Sequence, residues 1–224
     1  MHDKKYCYPN SNVLINKKNL VNARELFEAE IKYTGLRLME LQENPIVGKF
    51  DMQHLCKIHR YIFQDLYTWA GKIRTIDIGK GNMFCYVQNI SSFADIIFSK
   101  YYSSCYNAKE NRELFIEMLT NNYADLNALH PFREGNGRSQ REFARELCLA
   151  CGYVFDLSGT THNEMLEASI VAFNKADNSK LFDIFKRSVI PESEYGKSNT
   201  TFLSILTSDD LDIEDVANSY EYYE

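Results

Sequence analysis

Apolar residues recur along most of this chain at three- and four-residue intervals, the period that turns one side of an α-helix towards a core. The first such run covers residues 21–41, with Ala23, Leu26, Phe27, Ile31, Leu36 and Leu38 supplying apolar faces. Asp51 then stands as an N-cap before a helix over residues 52–67, patterned by Leu55, Ile58, Ile62 and Leu66. His54 and His59 share that helix five positions apart, a poor spacing for two metal ligands, so surface or packing roles are expected. Two more helices are predicted over residues 91–106 and 111–129, the second carrying Leu114, Phe115, Met118, Leu119 and Tyr123. A further helix bears Phe143, Leu147 and Cys151 on one face and stops at Gly152. Thr161-His-Asn-Glu164 has the pattern of a capping box opening a helix to about residue 173, and a short helix follows over residues 179–188.

The period changes to two in one place. Residues 72–87 alternate through Ile73, Ile76 and Ile78 around a Gly79-Lys-Gly81-Asn82 turn, the signature of a hairpin. A lone hairpin is marginal in water, so this one is expected to pack over the helices. Residues 6–18 are turn-rich and predict an irregular lead-in. The expected class is all-α with one hairpin, without repeats or a second domain.

Charge divides the chain. The net charge is −6, which argues against a general nucleic-acid binder, but nine acids and one lysine between Pro191 and Glu224 leave the body at about +2. The domain is therefore assigned to residues 1–190, with 191–224 as an acidic tail. Leu206, Leu211, Ile213, Val216 and Tyr220 could give that tail one apolar helical side, against a default of solvated disorder. No apolar run approaches membrane-spanning length, and the first residues show no secretion-signal pattern. Six scattered cysteines suit a reducing cytoplasm, and Cys148-x-x-Cys151 reads as two buried small residues.

The chemistry gathers in residues 130–141, His-Pro-Phe-Arg-Glu-Gly-Asn-Gly-Arg-Ser-Gln-Arg. Pro131 ends one helix, Gly135 and Gly137 allow a tight loop, and the next helix begins at once. Such a helix start presents unpaired N–H groups and a positive dipole end to one spot, an anion site. Arg138 and Arg141 add cations three positions apart where the dipole disfavours them, which makes sense beside a polyanion such as a nucleoside triphosphate. Glu134 suits a divalent cation bridging phosphates, and His130 has the pKa range of a general base. Taken singly each has an ordinary reading: a Gly-Asn-Gly turn, an Arg138–Glu142 surface pair, a helix-end histidine. Their concentration in twelve positions favours a site.

This stretch resembles the Fic motif, His-x-Phe-x-(Asp/Glu)-Gly-Asn-Gly-Arg-x-x-Arg, and matches it at every defined position. The resemblance runs over about residues 6–189. It implies the helical Fic fold with its hairpin as a flap over the active-site loop, able to pair with an extended segment of a target protein. It implies transfer of AMP from ATP to a target Tyr, Ser or Thr hydroxyl, with release of pyrophosphate. His130 would be the base, and Glu134 would help hold Mg²⁺. Gly135, Asn136 and Gly137 would form the anion hole, with the Asn136 amide contributing. Arg138 would grip the β- and γ-phosphates, Arg141 would add charge there, and Phe132 would anchor the loop in the core. Lys80 and Gly81, at the flap tip, become candidates for contact with target or nucleotide.

Relatives on the same scaffold phosphorylate their targets or transfer phosphocholine, and a non-catalytic nucleotide- or partner-binding module is a further alternative. The intact Gly-Asn-Gly-Arg favours AMP transfer. Many Fic proteins are restrained by Ser/Thr-x-x-x-Glu-Gly/Asn on a helix of the chain or of a separate antitoxin, whose Glu pairs with the second motif arginine, here Arg141. Ser188–Glu192 and Thr160–Glu164 fit that pattern only in part. The expected location is the bacterial cytoplasm, or a host cell if the protein is an injected effector.

Overall fold

The computed structural model describes residues 5–195, so the acidic tail and its predicted helix lie outside the described residues. The helical periods become α1 (Ala23–Glu43), α2 (Met52–Phe63), α3 (Ile90–Ala108), α4 (Arg112–Leu129), α5 (Asn136–Ala150), α6 (His162–Lys175) and α7 (Ser179–Ser188). Their starts follow the caps. Asn22, Asp51, Asn111 and Thr161 each accept first-turn N–H groups through their side chains. Gly152, at φ 83°, stops α5 in the left-handed region that glycine tolerates.

Helix α4 is the central strut. It packs against α3, α5, α6 and α7 and buries Phe115, Ile116, Leu119, Tyr123 and Leu126. Helix α5 buries Phe143, Ala144, Leu147 and Cys148, and α2 and α1 close the far side. The lead-in is irregular but not loose: Tyr6, Cys7, Val13 and Leu14 all join the core, with a bridge between Cys7 and Leu14. No helix of the described residues is long and apolar enough to cross a membrane.

Four expectations need correction. Helix α2 ends at Phe63 rather than 67, because Leu66 and Tyr67 turn back onto the Phe63 carbonyl and stay buried. Leu36, expected on an apolar face of α1, is exposed, while Glu30 and Thr34 are buried. The hairpin is shorter than its alternation suggested, two residues on each side: β1 (Gly79–Lys80) and β2 (Asn82–Met83). It is also not alone. Strands β3 (Tyr153–Phe155) and β4 (Val189–Pro191) pair antiparallel across α6 and α7, a contact between distant segments that local pattern does not reveal. The fold remains mostly helical with a flap hairpin, as expected.

Candidate active site

Helix α4 delivers His130 to the site in a left-handed cap conformation, φ 44° and ψ 61°, with its N–H still bonded to the Leu126 carbonyl at 3.2 Å. The ring Nδ1 lies 3.1 Å from the Asn127 carbonyl. A carbonyl only accepts, so the neutral ring carries its proton on Nδ1 and its lone pair on Nε2, by inference from this contact. That is the tautomer of a base. The ring stacks on Phe84 of the flap, centroids 3.7 Å apart and planes at 11°.

The loop after His130 rests on a buried floor. Phe132 is stacked on His59 at 3.8 Å. His59 Nδ1 accepts the Gly71 N–H at 2.7 Å, and Nε2 donates to the Glu134 carbonyl at 3.0 Å. Its other neighbours are Phe63 and Trp69, and burial pushes its pKa down to about 4. His59 is thus a packing histidine, as its spacing suggested, but one that holds the loop. His54 is also buried, between the Ile46 carbonyl and Glu146.

Asn136 departs from its expected role. Its Oδ1 accepts the Phe132 N–H at 2.9 Å and its Nδ2 donates to the Phe132 carbonyl at 2.8 Å. The side-chain amide braces the loop and does not face an anion, so what Asn136 can offer is its backbone N–H. Gly135 has φ 78°, and a Cβ there would run into the Phe63 ring. Asn136 and Gly137 supply N–H groups of the first turn of α5, which have no acceptor inside the helix. A Cβ on Gly137 would crowd Arg141 Nη1 at 3.1 Å.

The charged residues divide. Arg138 does not pair with Glu142, which is buried and bound to Arg145. Its Nη2 donates instead to Glu30 of α1 at 2.6 Å, and its guanidinium lies 4.7 Å from the centre of the Phe63 ring. Arg141, half-buried beside Tyr123, makes no ion pair among the described residues. Glu134 is half-exposed, accepts the Gly135 N–H at 2.8 Å and stands 3.8 Å from Arg138 Nη2. No cluster of three or more His, Cys, Asp or Glu side chains suited to a metal occurs among the described residues. An accessible carboxylate at a helix start of this kind fits Mg²⁺, which takes one or two carboxylates and completes its shell with phosphate oxygens and water.

The two partial inhibitory patterns do not reach Arg141. Glu164 pairs with Arg187, and Glu192 is in the turn after β4, its N–H on the Gly152 carbonyl. The two thiols of Cys148-x-x-Cys151 are buried, and burial raises that of Cys151 to about 11.

Sequence reasoning passed over the residue that joins flap to motif. Arg74 is almost fully buried, with Nε on the His130 carbonyl at 2.9 Å, Nη1 on the Ile76 carbonyl at 2.8 Å and Nη2 on the Cys85 carbonyl. Its own N–H bonds the Pro131 carbonyl at 2.9 Å, and Cys85 N–H bonds the Ala128 carbonyl at 3.1 Å. A cation in an alternating apolar run was the available sign. Gly81, at φ 75°, forms the flap turn, and Lys80 lies on β1, its side chain outside the described part.

A histidine capping the C-terminus of α4, a glycine-opened start of α5 six residues on, and a hairpin stacked over the ring through Phe84 make up the arrangement on this helical scaffold. The Fic/DOC family model matches residues 49–148. A protein of Sinorhizobium fredii named "Probable protein adenylyltransferase" is 38% identical over 170 residues, covering 75% of this chain and 87% of its own length. "Probable protein adenylyltransferase Fic" of Salmonella typhimurium is 32% identical over 185 residues, covering 82% and 91%. Among solved structures, the N-terminal Fic domain of a VirB-translocated Bep effector from Bartonella quintana, with bound ADP, has a TM-score of 0.78 at 28% identity. It covers 84% of this chain and 95% of that one. The BepC effector from Bartonella tribocorum, with bound AMPPNP, shares the fold at TM-score 0.79 and 23% identity, covering 83% and 96%. The chain belongs to the Fic/DOC family.

Proposed function

We propose that this chain is a protein adenylyltransferase that moves AMP from ATP to a hydroxyl of a target protein and releases pyrophosphate. The observation that carries the reading is the His130 ring, its Nδ1 held at the Asn127 carbonyl, six residues before the helix start of Asn136 and Gly137. The target hydroxyl gives its proton to His130 Nε2 while its oxygen bonds the α-phosphorus. The bond from that phosphorus to the leaving pyrophosphate breaks. The N–H groups opening α5 meet the negative charge of the phosphates, and Arg138 and Arg141 bind the β- and γ-phosphates. Glu134 is the residue suited to hold Mg²⁺, which would offset phosphate charge between the α- and β-groups.

Residues 1–190 form the Fic domain in this reading. The flap, with Lys80 and Gly81 near its tip, receives an extended segment of the target by strand addition. A restraining glutamate for Arg141 would come from a partner such as an antitoxin-like protein or from the acidic tail, and without either the enzyme is unrestrained.

Purified protein with Mg²⁺ and ATP labelled on the α- or the γ-phosphate tests the assignment. Label on protein is expected from the α-position only, and to fall about 10²–10⁴-fold in His130→Ala with folding intact. Label from the γ-position would mean phosphorylation, and α-label undiminished in the variant would remove His130 as base.

A further inference from the structure

The core-facing stripe of α1 runs Leu26, Glu30, Thr34, Leu38 and Leu41, so two polar residues stand in register with three apolar ones. Glu30 is only 5% exposed. A carboxylate so placed has to be paired and hydrogen-bonded. One oxygen accepts the hydroxyl of Tyr67, itself buried, and the other accepts Arg138 Nη2 at 2.6 Å. Thr34 donates its hydroxyl to the Glu30 carbonyl at 2.7 Å and accepts from Arg138 Nη1 at 3.4 Å. The Phe63 ring lies against the guanidinium. Helix α1 and the end of α2 therefore grip one arginine of α5, and Tyr67 in the turn after α2 holds the gripping carboxylate.

We propose that Glu30 is a positioning residue for the polyphosphate of the nucleotide, fixing the plane of the Arg138 guanidinium from its interior side. The proposal rests on the nucleotide-binding reading above. Glu30 takes Nη2 and Thr34 takes Nη1, so both arms of the planar guanidinium are fixed on one side. Glu30 also competes with Glu134 for the same Nη2, at 2.6 Å against 3.8 Å. It thereby keeps Arg138 from collapsing onto the carboxylate suited to the cation. The opposite role, a carboxylate that occupies Arg138 in place of phosphate and must leave, is poorly served by this geometry. Its second oxygen is committed to a buried hydroxyl, so departure would strand two buried polar groups.

The test titrates Mg²⁺–AMPPNP and, separately, AMP into full-length wild type, Glu30→Ala and Glu30→Gln by calorimetry, with thermal unfolding as a fold control. Glu30→Ala should weaken AMPPNP binding roughly tenfold and leave AMP binding unchanged, because AMP lacks the phosphates that Arg138 meets. Glu30→Gln keeps an acceptor oxygen and should recover part of the loss. Should Glu30→Ala fail to fold, the AMPPNP-to-AMP ratio of Glu30→Gln decides the matter by itself. An unchanged ratio in the folded variants overturns the positioning role. Tighter AMPPNP binding overturns it too, and makes Glu30 a competitor of phosphate. If wild type does not prefer AMPPNP to AMP, the nucleotide reading itself falls, a result distinct from either.

Discussion

The floor beneath the motif loop and the flap above it are built on opposite plans. In the floor His59, Phe63, Phe132 and Asn136 are all buried, and the polar ones spend their hydrogen bonds on loop backbone: Gly71, Glu134 and Phe132. The flap is two strands of two residues, with Met83 47% and Tyr86 50% exposed. It is moored at its base by Arg74, at its tip by Asn82 to Asn174 of α6 at 2.7 Å, and through Phe84 between His130 and Phe173. The motif loop is thus set in the cooperative core, while the flap is left near the surface, where opening costs least. Two glycines carry the contrast in miniature. Gly135 in the floor and Gly81 in the flap have nearly the same φ, 78° and 75°, but Gly135 abuts Phe63 while nothing stands within 4 Å of a Cβ on Gly81.

The largest effect is expected from Gly135→Ala. A left-handed alanine costs about 1–2 kcal/mol, and forcing its methyl into the Phe63 ring adds overpacking of about 1–3 kcal/mol. We expect a loss of about 2–5 kcal/mol in chemical denaturation, together with loss of AMP transfer. A variant as stable as wild type would mean that the floor can yield, and the contrast with the flap would fail.

Arg74→Met comes next and attacks the mooring between the two regions. It keeps bulk but removes the donor from the carbonyls of His130, Ile76 and Cys85. Charged hydrogen bonds of this kind contribute about 1.5–3 kcal/mol each and are not additive, so about 3–4 kcal/mol is expected overall. Because the guanidinium also fixes the His130 backbone, transfer should fall by more than nucleotide binding does. Parallel measurement of the two in the purified variant checks that split.

How much of this was legible in the sequence depends on how far each residue reaches. Helices were readable because period and cap are local: Asp51, Thr161 and Gly152 act within four residues, and the boundaries fell within a turn of expectation except at α2. The motif was readable because twelve consecutive residues carry it. Pairing of β3 with β4 joins residues more than thirty apart and left no local trace. Glu30 meets Arg138 across 108 positions, and Arg74 meets His130 across 56. Each showed only as a polar side chain where period demanded an apolar one. Asn136 misled for the reverse reason, since an amide in an anion loop can face either way and the Phe132 backbone claims it here.

The floor should also respond to acid. His59 is held neutral, with a folded pKa of about 4 against an ordinary 6.5. Between those values the unfolded chain takes a proton that the folded chain refuses. Its stabilisation is thus complete above pH 6.5 and is lost as pH falls towards 4. At about 1.4 kcal/mol per pH unit, some 2–3 kcal/mol should have gone by pH 4.5. Denaturation curves of wild type and His59→Gln from pH 7.5 to 4.5 isolate this share, because carboxylates titrating over the same range contribute to both. Parallel curves would mean that His59 protonates without disturbing the floor.

The smallest effect belongs to the flap tip. Gly81→Ala meets no neighbour within 4 Å, so its cost is confined to the left-handed backbone, about 1 kcal/mol. Even that cost is local, since strain at the exposed turn falls on the Asn82–Asn174 contact before it reaches the Arg74 mooring at the base. Global stability should therefore move by less than the backbone strain, while the tip shifts among more conformations. If the flap receives target by strand addition, the loss should appear as a weaker apparent affinity for protein target with ATP affinity unchanged. Kinetics with varied target and fixed ATP, then the converse, distinguish this from a general defect. A drop in ATP affinity would place the tip over the nucleotide and make flap and floor one binding surface.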